Sequence, residues 1–196
     1  KGVVVCQREP QDILLYPEAG FLLVQDTLKA LQRLAERHRE SFDIPVVGIT
    51  GSNGKTIVKE WLYQLLSSQQ VVTRSPRSYN SQIGVPLSVW TINEHTDIGI
   101  FEAGISQKDE MDALQTIIQP TIGVFTCLGE AHQENFKTRE EKCAEKWKLF
   151  KDADIVVYCA DCSAELERAN YTIPMVEHTP ASAVEENRVE PTFEKD

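Results

Sequence analysis

The sequence predicts an α/β protein, a mostly parallel sheet with helices on both faces. Short β-branched apolar runs at 44–50, 97–101, 121–127 and 154–159 alternate with stretches whose apolar residues recur every three or four positions. Parallel strands need crossover connections, and helices are the usual ones. The first of those runs breaks directly into Thr50-Gly51-Ser52-Asn53-Gly54-Lys55-Thr56, where a strand would hand over to a helix through a glycine-bounded loop. At 196 residues with 41% apolar content, the chain can pack one sizeable domain and part of another.

Composition narrows the function classes. Acidic residues outnumber basic ones 30 to 20, for a formal net charge of −10, and no stretch clusters Lys and Arg as a nucleic-acid surface requires. No run reaches the roughly eighteen apolar residues of a membrane span, and no signal peptide opens the sequence, so a cytoplasmic protein without membrane insertion is expected. Lys1 to Cys6 already reads as the inside of a strand, which predicts a piece of a longer polypeptide. The five cysteines are scattered and mostly embedded in apolar runs, as reduced core cysteines are. Cys159-Ala160-Asp161-Cys162 lacks the second pair or nearby histidine that a zinc site needs.

In chain order, residues 3–6 and 13–15 read as two short strands, followed by the apolar run Phe21-Leu22-Leu23-Val24. Asp26 or Thr27 can cap a helix with Leu28, Leu31, Leu34 and Ala35 on one side, ending near His38 and Arg39. Residues 1–25 bury too little to stand alone and are expected to end a preceding domain, with residues 26–170 as the nucleotide domain. From Lys55, the residues Ile57, Val58, Trp61, Leu62, Leu65 and Leu66 mark an amphipathic helix. Val71 and Val72 suggest a strand, 87–92 a short helix with Pro86 in its first turn, and 107–118 a helix with Met111, Leu114, Ile117 and Ile118 inward. Thr138-Arg139-Glu140-Glu141 is a capping box for a helix presenting Cys143, Trp147 and Phe150. Ser163 can cap a short helix to Asn170, and 171–196 is a loose acidic tail.

The loop reads as a phosphate cradle. Gly51 and Gly54 let the backbone turn its N–H groups inward, and the following helix adds its positive end. Lys55 would reach the outer phosphates, and the Thr56 hydroxyl would ligate Mg²⁺. The pattern departs from G-x-x-x-x-G-K-[ST], because Ile49 stands at the first glycine position. Since all carboxyl ends of a parallel sheet share one edge, Glu102 after 97–101 and His132 after 121–127 would meet this loop, as metal ligands or else as an ordinary strand-end carboxylate and a loop histidine. Lys146 falls on the shoulder of its helix's apolar stripe, either as a snorkelling lysine or with a role at the site.

T-G-S-N-G-K-T, N-S-Q-I-G-V-P at 80–86, F-E-A-G at 101–104, A-H-Q-E-N-F at 131–136 and A-E-K-W-K-L-F at 144–150 stand in an order and spacing that resembles the Mur ligases, over residues 20–165. These are ATP-dependent amide-bond ligases of peptidoglycan synthesis. N-x-x-I-G-x-P and the 26–35 helix look most like the branch that adds D-alanyl-D-alanine to UDP-N-acetylmuramoyl-tripeptide, especially versions fused to an alanine racemase. The resemblance implies a P-loop NTPase-like central domain whose N- and C-terminal partner domains lie elsewhere. It further implies ATP held by Gly51, Ser52, Asn53, Gly54, Lys55 and Thr56, one Mg²⁺ held by Thr56 and Glu102, and a second served by His132. Lys146 matches a lysine that many members carbamylate, and Asn80 matches a residue near the incoming substrate. Lys55, Lys146 and His132 are the catalytic candidates, and this chain alone is expected to be inactive. The alternatives are a folylpolyglutamate- or cyanophycin-type ligase, or a nucleotide-binding module without chemistry.

Overall fold

The computed structural model describes residues 2–129 and 135–158. His132, the Cys159 and Cys162 pair, the helix expected at 163–170 and the tail at 171–196 lie outside the described residues. Strand β1 (Gly2–Cys6) pairs in parallel with β2 (Ala19–Leu23) in a small sheet of their own. The stretch 13–15 between them, expected as a strand, is a 3-10 turn. Leu14 is 90% and Leu15 71% exposed, so no sheet face is there to reward an extended conformation.

Helix α1 (Thr27–Arg39) starts where the sequence places it, with Asp26 accepting hydrogen bonds from the Leu28 and Lys29 amides. The apolar run at 44–50 becomes β3 (Val46–Thr50), the centre of a five-stranded sheet in which every pairing is parallel. Around it stand β4 (Val72–Arg74), β5 (Ile98–Glu102), β6 (Ile122–Phe125) and β7 (Ile155–Tyr158), in the order β4-β5-β3-β6-β7. Both faces of β3 are buried, as a continuous apolar run requires. Val47 and Ile49 pack with Ile98 and Ile100 under α2 (Lys55–Leu66), while Val46 joins the larger cluster of the opposite face. That second face is covered by α1, α3 (Gly84–Val89), α4 (Met111–Ile118) and α5 (Arg139–Trp147), so the expected layering holds.

Several boundaries move for local reasons. On α2 the apolar residues Val58, Leu62 and Leu66 meet the sheet, Ile57, Trp61 and Leu65 face outward, and the fully buried position is Lys59. Helix α3 begins three residues before the expected start, yet Pro86 stays in its first turn, where an amide has no intrahelical partner. Helix α4 begins at Met111 rather than 107, because the Glu110 carboxylate accepts the Ser106 and Gln107 amides and Asp109 is left-handed at φ 65°. At α5, Thr138 accepts the Glu141 amide, but the Glu141 carboxylate takes the amide of Lys137, one residue before the usual capping-box partner. Arg39, 5% exposed, closes the last turn of α4 by donating to the Ile118 and Gln119 carbonyls.

Candidate functional site

Register alone brings the site together. Ile49 pairs with Glu102 and Thr50 with Phe125, so the loops after β3, β5 and β6 leave the sheet at one edge. The loop after β3 turns sharply at Gly51, with φ 139°, and Gly54, with φ 81°, ends it as the residue before α2. It is fastened to the segment after β6: the Ser52 amide donates to the Cys127 carbonyl at 2.8 Å, and the Thr126 hydroxyl donates to the Asn53 carbonyl. A side chain at Gly51 would overlap the Thr126 hydroxyl, which is why the chain has none there.

Two lysines converge on this loop. Lys55 Nζ donates to the Gly51 carbonyl at 2.9 Å, and Lys146 Nζ, from α5, reaches the same carbonyl at 3.3 Å. Burial holds the Lys55 amine below its ordinary range, partly offset by the Glu102 carboxylate and Cys127. Lys146 is 3% exposed; burial first, and then the nearby Lys55 and Lys142, push it down to about 8. An amine near that value is partly neutral at physiological pH, and so can act as a nucleophile where an ordinary lysine cannot.

The carboxylate of Glu102 lies fully buried beneath the start of α2. Its Oε2 accepts the Thr56 hydroxyl at 3.1 Å, which brings together the two residues predicted as metal ligands. Its Oε1 lies 2.9 Å from Lys59 Nζ but receives no aligned hydrogen bond. A fully buried carboxylate oxygen, Oε2, beside the Thr56 hydroxyl offers two hard oxygen ligands to a cation such as Mg²⁺. Loop, lysines and Asn80 line one cavity of about 390 Å³, which also touches Ser81, Gln82 and Ser106. Asn80 is held against the strand end, its amide oxygen 2.9 Å from where a Gly104 side chain would begin. The structure thus brings together the phosphate loop, Glu102, Lys146 and Asn80; His132 lies outside the described residues.

Two functional candidates escaped the sequence reading. Lys59, fully buried, sits one turn beyond Lys55 and pairs with Glu102; Lys142, 1% exposed, donates to the Gly129 carbonyl at 2.6 Å, one turn before Lys146. The only available signal was spacing, since each lies four residues from a lysine already singled out. A second acidic group, Asp109, Asp112 and Glu145, encloses Lys148, whose ammonium lies 2.8 Å from both Asp112 and Glu145 and occupies the place a cation would take.

Comparison with known proteins gives a consistent picture. The family model for the Mur ligase middle domain matches residues 49–192. A UDP-N-acetylmuramoyl-tripeptide–D-alanyl-D-alanine ligase of Bacillus subtilis is 36% identical over 145 residues, covering 72% of this chain and 32% of that protein. Among solved structures, MurF from Acinetobacter baumannii superposes with a TM-score of 0.75 at 26% identity, covering 86% of this chain and 37% of that one. MurF ligase from Thermotoga maritima in complex with ADP gives a TM-score of 0.75 at 29% identity, covering 86% of this chain and 39% of that one. The chain spans about a third of the length of the curated relatives it matches.

Proposed function

Because the chain belongs to the Mur ligase family and carries its middle domain, we propose that it is the ATP-binding part of an amide-bond ligase of peptidoglycan precursor synthesis. The reaction is the addition of D-alanyl-D-alanine to UDP-N-acetylmuramoyl-tripeptide, in the cytoplasm, through an acyl phosphate. One observation carries this reading: the phosphate loop and Lys146 line one cavity, and the Thr56–Glu102 pair stands at the same sheet edge, at the end of that loop. A module that only bound nucleotide would need the loop alone.

The nucleophile of the first step is a substrate carboxylate, already ionised at neutral pH, so no side chain has to remove a proton from it. What the chain must supply is alignment and charge neutralisation. The loop and the N-terminus of α2 would hold a triphosphate, with Lys55 supplying a point charge against the phosphates nearest the transfer. Thr56 and Glu102 would hold Mg²⁺, which when bound offsets phosphate charge. His132 is assigned to a second metal on the resemblance of A-H-Q-E-N-F alone. The neutral amine of Lys146 can add to CO₂, forming an N–C bond and releasing one proton, so that the side chain would carry a carbamate anion in place of an amine. Asn80 faces the same cavity and is assigned to the incoming substrate.

Residues 1–25 would then end the uridine-nucleotide-binding domain, 26–170 form the central domain, and 171–196 a tail, with the amine-binding domain supplied by further sequence. The chain alone would not complete ligation. The test is ligation by the complete enzyme with UDP-N-acetylmuramoyl-tripeptide and ATP, offering D-alanyl-D-alanine or L-glutamate as amine. Phosphate release with D-alanyl-D-alanine alone supports the assignment. Turnover of a folate substrate with glutamate, and none with the muramoyl tripeptide, moves it to the folylpolyglutamate branch.

A further inference from the structure

Lys59 has no part in the reading above, yet it is one of the most completely buried charges among the described residues. Its ammonium is fixed from three directions. It donates to the Ser75 carbonyl at 2.8 Å and to the Arg77 carbonyl, both in the turn after β4, and lies 2.9 Å from Glu102 Oε1 and 3.2 Å from Glu60 Oε1. The same turn is fastened to β5, because the Glu102 amide donates to the Ser75 hydroxyl at 3.2 Å. The two carbonyls therefore keep the ammonium in place whatever the carboxylate does. Glu102 is left with one oxygen committed to a cation and the other turned toward Thr56.

We propose that Lys59 is a positioning residue that restricts Glu102 to one-oxygen coordination, so that the site prefers Mg²⁺ to Ca²⁺. The inference rests on the metal reading of Thr56 and Glu102. Mg²⁺ takes a compact octahedral shell, keeps several waters and is satisfied by a single carboxylate oxygen. Ca²⁺ gains from larger shells and from carboxylates that bind through both oxygens. A carboxylate whose Oε1 is tied to a backbone-anchored ammonium cannot swing to offer both. The ammonium also compensates the buried charge of Glu102, which without any partner would be costly to keep ionised.

The test is calorimetric titration of the chain with a non-hydrolysable ATP analogue in Mg²⁺, in Ca²⁺ and without divalent metal, for the wild type and Lys59→Met. The wild type is expected to favour Mg²⁺. Lys59→Met is expected to lose about tenfold in the Mg²⁺-over-Ca²⁺ ratio, more than it loses in metal-free affinity. A purely structural lysine would lower all three affinities together and leave the ratio intact, and that result overturns the proposal. If Lys59→Met does not fold, a crystal structure of the wild type with the analogue and Mg²⁺ decides: Oε1 still on Lys59 supports the role, and both oxygens on the metal refute it. Analogue binding indifferent to any divalent metal in the wild type overturns the metal reading itself, and this inference with it.

Discussion

Replacing Gly51 with alanine should damage the site by an amount that can be worked from its surroundings. At φ 139° a side chain is strained wherever it points, which costs roughly 1–3 kcal/mol. The added methyl group would also overlap the Thr126 hydroxyl and come within 3.0 Å of the Cys127 amide nitrogen and carbonyl oxygen, both backbone atoms that cannot rotate away. Overpacking of that kind adds roughly 1–3 kcal/mol, for a total of about 2–6 kcal/mol. Gly54 provides the internal control. It too has positive φ, at 81°, but a methyl group there would touch only Thr126 Cβ at 3.8 Å, so Gly54→Ala should cost only the left-handed strain of about 1–2 kcal/mol. Urea unfolding followed by circular dichroism measures both, with the slope checked for constancy. Since the Gly51 carbonyl receives Lys55 and Lys146, Gly51→Ala should also weaken nucleotide binding more than Gly54→Ala does. If the two variants are equally stable, the close packing of the loop against the segment after β6 is not what fixes its shape.

Other consequences are open to direct measurement. Arg39→Met leaves the last carbonyls of α4 without their donor and should cost about 1–3 kcal/mol in urea unfolding, with no change in analogue affinity. Lys146 is depressed in the fold to about 8 from 10.5, so between those values the unfolded chain holds a proton that the native chain does not. The penalty of burying the charge is thus fully present below pH 8 and is relieved as pH rises toward 10.5. Lys146→Met should therefore be more stable than wild type at pH 7, by up to about 3 kcal/mol, with the gap narrowing steadily above pH 8. A gap independent of pH would mean that Lys146 carries no depressed pKa. Glu102→Gln keeps the shape but not the charge, and should remove most of the Mg²⁺ dependence of analogue binding while leaving metal-free binding within about threefold.

Much of this architecture was legible because local and global signals agree. The β-branched run before Gly51 and the three-and-four spacing after Lys55 specify β3 and α2 without tertiary information, and the parallel sheet then requires Glu102 to emerge beside Thr56. Ile13-Leu14-Leu15 shows the opposite case, a strand-like composition with no face to cover it. Lys59 and Lys142 were invisible for a different reason. A lysine on a helix reads as solvated, and only the fold supplies the buried carboxylate and backbone carbonyls that make its burial tolerable. The spacing that marks α2 as a helix does not say which of its apolar residues meet the sheet, and Ile57, Trp61 and Leu65 face outward because spacing defines a stripe but not its width.

The central claim is that the loop at Gly51 to Thr56 and the carboxylate of Glu102 form one metal-nucleotide site. Calorimetric titration of the chain with a non-hydrolysable ATP analogue, with and without Mg²⁺, tests it on wild type, Lys55→Ala and Glu102→Ala. The account predicts that Lys55→Ala weakens binding under both conditions, by about tenfold or more, whereas Glu102→Ala weakens it only when Mg²⁺ is present. Mg²⁺-dependent binding of undiminished strength in both variants would contradict it.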